Sequence, residues 1–192
     1  MKIAVILGTS KSDGNTRKLV ESFVEQSDAK LFDLSDFDIS FYDYEHENSK
    51  DDFLPIIHQL LRFDHLVFAS PVYWYSMSAQ LKVFFDRLSD LLTIEKELGR
   101  KLKGKSISVL STGYSLDLPA CFVQPFELTA SYMQLEFKGC EYLAVQSESD
   151  LGKVTSSAAQ AIENKRLHSK DEKLRRHIKY GTKPQEECLK QY

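Results

Sequence analysis

Five apolar residues, Ile3-Ala4-Val5-Ile6-Leu7, run directly into Gly8-Thr9-Ser10-Lys11-Ser12-Asp13-Gly14-Asn15-Thr16. A helical pattern follows, with Leu19, Val20, Phe23 and Val24 on one side. A continuous apolar run of strand length suits a strand covered on both faces, which is the environment of a parallel sheet between helical layers. The alternation continues along the chain. Strands are predicted at 2–7, 29–34, 65–69, 106–111 and 137–146, and helices near 15–26, 50–63, 77–92, 120–133 and 150–167. Residues 35–48 read as a loop, and the charged stretch 93–104, with Gly99 and Gly104, as a connection. Strands alternating with helices predict an α/β fold with a doubly wound, five-stranded parallel sheet.

In such a sheet, ligands bind beyond the carboxyl ends of the strands, where the strand order reverses. Three predicted strand ends carry suitable residues. The first is the Gly/Ser/Thr loop. A phosphate needs backbone N–H groups and hydroxyls converging at a helix N-terminus, and residues 9–16 supply them through Thr9, Ser10, Ser12, Asn15 and Thr16. The loop lacks the Gly-Lys-Ser/Thr ending of a nucleotide-triphosphate loop and is not a G-x-G-x-x-G. The second is Ser70-Pro71-Val72-Tyr73-Trp74-Tyr75-Ser76-Met77-Ser78, which opens an amphipathic helix. It offers backbone amides, the aromatic faces of Tyr73 and Trp74, and the hydroxyls of Ser76 and Ser78, a combination suited to a flat ring of the isoalloxazine kind. The third is Ser111-Thr112-Gly113-Tyr114. There Gly113 permits a close backbone approach and Tyr114 can cover a ring.

Gly8 to Thr16 and Ser70 to Arg87, with the order of elements over roughly residues 1–150, resemble the flavodoxin-like NAD(P)H-dependent FMN reductases, a family that includes NAD(P)H:quinone-type oxidoreductases. The second motif is the more specific. It looks like the branch that includes the iron–sulfur flavoproteins, which carry a compact cysteine cluster ahead of it. Here that place holds Phe41-Tyr42-Asp43-Tyr44-Glu45-His46, without cysteine. The resemblance implies strand order 2-1-3-4-5 and FMN without a cluster. It implies phosphate on residues 9–16 and the ring beside Pro71, Val72, Tyr73, Trp74, Tyr75, Ser76, Thr112, Gly113 and Tyr114. NADPH or NADH is the expected electron donor. A quinone, free flavin, nitro or azo compound, or metal complex is the expected small-molecule electron acceptor. A homodimer or homotetramer is the oligomer the family suggests. The alternatives are a flavodoxin-type electron carrier without NAD(P)H activity and a ligand-binding module that has lost its cofactor.

Composition sets bounds on other classes. At 192 residues and 42% hydrophobic, the chain suffices for one domain with a sizeable core. It contains no run of 18 apolar residues and no secretory leader pattern, so a cytoplasmic protein without a membrane partner is expected. Cys121, Cys140 and Cys188 are too far apart for a metal motif or a disulfide framework. Residues 1–164 hold 16 Lys/Arg against 24 Asp/Glu, whereas residues 165–192 hold 9 against 4. This divides the chain into a domain at 1–167 and a charged tail at 168–192, with a short helix expected at Lys170 to Lys179. The tail mixes acids among its bases and has few aromatics, which favours docking on an acidic protein surface over nucleic acid. No Ser-His-Asp triad, paired carboxylate site or zinc motif is visible, and no catalytic side chain is assigned. Lys82 and Asp86 are spaced to pair along a helix, and Asp86 and Arg87 could tie that helix to the aromatic loop.

Overall fold

The computed structural model describes residues 1–147 and residue 150. Five strands form one sheet: β1 (Ile3–Leu7), β2 (Lys30–Asp33), β3 (His65–Pro71), β4 (Ser106–Gly113) and β5 (Glu136–Ala144). All neighbours pair in parallel and the order is β2-β1-β3-β4-β5, as the resemblance implied. The central strands are the apolar runs of the sequence, and every residue of β1 and β3 is buried. Between Ile107 and Val109 of β4 the register with β5 shifts by one residue, where Gly139 takes φ 107°. A residue added to one strand in this way bends and twists the sheet edge.

Helices cover both faces. α1 (Asn15–Ser27) buries Leu19, Val20 and Phe23 and packs against β1, β3 and β4. The opposite face carries Ala4, Ile6, Leu66, Phe68, Ile107 and Val109. These join one apolar cluster with α2 (Phe53–Leu60), α3 (Ala79–Arg87) and α6 (Ala120–Tyr132). Phe68 and Phe84 are core residues, as expected, with ring centroids 6.2 Å apart.

Two boundaries differ from the sequence reading. The helix expected over 77–92 ends at Arg87, and a short α4 (Asp90–Thr93) follows. The stretch read as a connection contains α5 (Lys96–Arg100), with Leu98 buried at 4% exposure. The charged residues around Leu98 face solvent, so a single buried leucine was too weak a periodic signal to mark a helix. The helix expected at 150–167, the 167/168 boundary, the tail and Cys188 lie outside the described residues.

Candidate flavin site at the strand ends

Leu7, Pro71 and Gly113 end three adjacent strands on the same edge of the sheet, and the loops that follow them are tied to one another. The Gly8 amide donates to the Ala69 carbonyl at 2.9 Å, and the Val72 amide donates to the Thr112 carbonyl at 2.9 Å. Ser78 caps α3 by accepting from the Leu81 amide at 3.2 Å, and its hydroxyl donates to the Gly8 carbonyl at 2.8 Å. The Ser78 amide in turn donates to the Ser70 hydroxyl at 2.9 Å. A side chain at Gly8 would place its Cβ 2.8 Å from Leu81 Cβ, so only glycine admits the first turn of α3 there. Thr16 and Thr112, 96 residues apart, share a buried hydroxyl–hydroxyl hydrogen bond of 2.7 Å.

These bonds correct one expectation. The Ser78 hydroxyl, read as a polar contact offered by the aromatic loop, is fully buried and spent on the cap and on Gly8. Gln80, which nothing in the sequence marked, stands beside the first loop, its Nε2 3.1 Å from the Ser10 hydroxyl.

The helix terminus is prepared for an anion. α1 begins after Gly14, no side chain caps it, and its first turn holds no acidic residue. Main-chain N–H groups at such an end lack helical partners and carry the positive end of the macrodipole. Ser10, Ser12 and Asn15 around it are exposed, whereas Thr9 and Thr16 are buried at 8% and 2% exposure. The first group is open to solvent and the second packs behind the loop.

The second and third loops enclose an open pocket of about 270 Å³, walled by Val72, Trp74, Tyr75, Gly113, Tyr114 and Tyr142 among others. Tyr73 and Ser76 exchange backbone hydrogen bonds of 2.9 and 3.0 Å, closing a two-residue turn with Trp74 and Tyr75 at its tip. Both tip residues take positive φ, 47° and 67°. Trp74 is 92% exposed, Tyr75 64% and Tyr114 77%. The pocket therefore combines aromatic surface with backbone polar groups, which suits a flat, polar-edged ring. On the rim, the Cys121 thiol of α6 lies 3.7 Å from the Tyr75 carbonyl oxygen. The buried Ser111 hydroxyl, on the strand between loops two and three, has no hydrogen-bond partner in the structure. The donor set thus fits a phosphorylated flavin: uncapped amides and hydroxyls for the phosphate, and an aromatic, amide-lined pocket for the ring.

Other candidates resolve as structural. His65, 2% exposed, has Nδ1 2.8 Å from the Ser106 hydroxyl and Nε2 2.8 Å from the Ser108 hydroxyl. Lys82 and Asp86 pair on the surface of α3. Arg87 is fully buried and, instead of reaching the aromatic loop, ties α3 to residues 40–51 through Asp51 and the Ser40 carbonyl and to the start of α4 through Asp90. Among the described residues no group of histidines, cysteines and carboxylates could hold a metal ion, and no helix is long and apolar enough to cross a membrane.

Comparison with known proteins agrees with this geometry. The family model for NADPH-dependent FMN reductases matches residues 1–119. A putative NAD(P)H-dependent FMN-containing oxidoreductase of Bacillus subtilis strain 168, YwqN, is 34% identical over 151 residues, covering 72% of this chain and 82% of YwqN. The solved structure of the Trp repressor binding protein from Bacillus subtilis superposes with a TM-score of 0.67 at 28% identity, covering 84% of this chain and 97% of that one. An NAD(P)H:quinone oxidoreductase from Methanothermobacter marburgensis shares the fold at 18% identity, with a TM-score of 0.66 and coverage of 85% and 98%. The family model over more than half of the chain, with a relative 34% identical across most of it, has one reading: the chain belongs to the NADPH-dependent FMN reductases, oxidoreductases that use FMN and draw their electrons from NAD(P)H.

Proposed function

We propose that this chain holds the FMN phosphate on residues 9–16, through the α1 amides with Ser10, Ser12 and Asn15, while Thr9 and Thr16 brace the loop from behind. The ring lies beside residues 71–76 and 112–114, with Trp74, Tyr75 and Tyr114 as its aromatic surroundings. The observation that carries this reading is the uncapped, acid-free start of α1, bonded through Thr16 to Thr112, the neighbour of Gly113 in the pocket wall. Because the three loops are cross-bonded, phosphate and ring are held in one rigid frame, and positioning is the protein's main contribution. When bound, the flavin supplies hydride acceptance from NAD(P)H and electron delivery to a small-molecule acceptor such as a quinone, a free flavin, or a nitro or azo compound. The residues bind, orient and shield, and no side chain is required as a nucleophile.

The test is anaerobic titration of the FMN-loaded protein with NADH and with NADPH, followed by an acceptor panel. Bleaching of the flavin by one nucleotide, and its return on adding an acceptor, is the expected result. A flavin that binds but is reduced by neither nucleotide would reduce the assignment to a flavodoxin-type electron carrier.

A further inference from the structure

Tyr142 occupies the edge strand β5, well outside the residues that the sequence pointed to. Its hydroxyl donates to the Ser115 carbonyl at 2.6 Å, across 27 residues of chain. Its ring fills the space that a side chain at Gly113 would need, since a Cβ there would meet the Tyr142 hydroxyl at 2.6 Å and the ring at 3.1 Å. Gly113 and Ser115 are the two neighbours of Tyr114. One phenol therefore grips the third loop on both sides of its exposed ring, while the Val145 amide holds the Gly113 carbonyl at 2.8 Å. All four residues from Gly113 to Ser115 and Tyr142 wall the pocket.

We propose that Tyr142 is a positioning residue for the flavin ring: through Ser115 and Gly113 it fixes the third loop, and with it Tyr114, at the width that a flat ring requires. The inference rests on the FMN reading above. Burial, and then the nearby Asp117 carboxylate, raise the Tyr142 pKa above that of a free phenol, so the hydroxyl keeps its proton and remains a donor. A hydrogen bond from a half-buried phenol to a backbone carbonyl is a modest anchor, and its loss loosens the loop without emptying the pocket.

The test uses the cofactor-stripped full chain and two variants, Tyr142→Phe and Gly113→Ala. Tyr142→Phe keeps the ring and loses the bond, whereas Gly113→Ala keeps the bond partners and forces the ring away. FMN and riboflavin are titrated into each, with flavin fluorescence and the visible absorption band as readouts, and inorganic phosphate by calorimetry. Tyr142→Phe is expected to weaken FMN and riboflavin by the same factor, about two- to tenfold, to shift the bound flavin's visible band, and to leave phosphate affinity unchanged. Gly113→Ala is expected to do the same more strongly. A loss confined to FMN, or an equal loss for all three ligands with a lowered melting temperature, overturns the proposal, because the residue would then serve the phosphate or the fold. Unchanged flavin affinity and an unshifted band in Tyr142→Phe overturn it as well. A wild-type chain that takes up neither flavin removes the FMN reading itself, a result distinguishable from all of these.

Discussion

At the tip of the aromatic loop, Trp74 and Tyr75 hold a backbone conformation that suits asparagine and glycine better than two bulky aromatics. Left-handed φ costs an ordinary L-residue about 1–2 kcal/mol. Two such residues in succession, lifting a tryptophan into solvent, motivate the proposal that the turn serves ligand binding. Replacing Trp74-Tyr75 with Asn-Gly should therefore raise the melting temperature, with a gain of about 1–3 kcal/mol, while weakening FMN or NAD(P)H binding. A stability left unchanged or lowered, measured by thermal melting of the stripped protein, would remove the strain argument. Trp74 is the only tryptophan in the chain, which makes its emission a direct probe of ring proximity. Quenching on FMN addition is expected, and unaltered emission with FMN demonstrably bound would place the ring elsewhere. At the phosphate end, the double variant Ser10→Ala, Thr16→Ala should lose about 1–3 kcal/mol of FMN affinity, as lost hydrogen bonds to a charged group do. The larger share is expected from Ser10, which would face the phosphate, while Thr16 acts indirectly through its buried bond to Thr112. Single-variant titrations would show that order.

Among the elements, Arg87 decides how the irregular segment between β2 and α2 is held. Its guanidinium lies over the Phe53 ring at 4.9 Å and bonds Asp51, Asp90 and the Ser40 carbonyl. Asp51 itself also accepts from the amides of Ser40 and Phe53 at 2.9 and 3.0 Å. Burial alone would raise the Asp51 pKa. The Arg87 bonds, the two amides and the Arg87 charge outweigh it, and the carboxyl titrates below its usual range. A carboxyl depressed on folding contributes stability above its unfolded pKa of about 3.9, and that contribution is lost as pH falls through the folded value. Thermal melts should therefore show a loss below about pH 4 that Asp51→Asn makes shallower. Arg87→Ala, which strands two buried carboxylates, should cost about 3–5 kcal/mol at neutral pH. A cost under 1 kcal/mol, read from urea unfolding, would mean that water reaches the site. This network also shows where sequence reading stops. β1 and β3 were legible because continuous apolar runs admit few other structures, and the three loops were legible because strand ends in a parallel sheet share one edge. Arg87 was not, because an i+4 spacing favours the surface pair Lys82–Asp86 and says nothing of a partner 36 residues away. Gln80 and Tyr142 were missed for the same reason: each acts on residues far away in the chain, 70 and 27 positions off, that only the fold brings near.

At the scale of the molecule, one group of exposed apolar side chains among the described residues stands at the strand ends. Trp74, Tyr75, Tyr114 and Leu116 are all more than half exposed, and they sit on the two loops that wall the ring pocket. Exposed aromatic and apolar side chains beside an open pocket suit contact with a ligand or a partner surface. Among oligomers the commonest partner is another copy, related by a two-fold axis. We propose a homodimer, or a pair of dimers, in which the strand-end face of one subunit helps to close the pocket of the next. The alternative is a monomer whose aromatic rim serves only the nucleotide and the acceptor. Light scattering separates the two. A dimer or tetramer is expected at tens of micromolar for the full chain, and Trp74→Ser with Leu116→Ser should shift it toward monomer, because apolar area removed from the centre of an interface weakens association. Raised salt should leave this contact standing, since the patch is apolar and screening acts on exposed charges over about 8 Å at physiological ionic strength. A version ending at Leu167 isolates the basic tail: an oligomer lost on truncation and sensitive to salt would transfer the interface from the aromatic rim to the tail. A full-length monomer would leave the rim to the ligands alone. In that case the strain at Trp74 serves nucleotide binding, and Trp74→Ser should raise the KM for NAD(P)H without changing the hydrodynamic size.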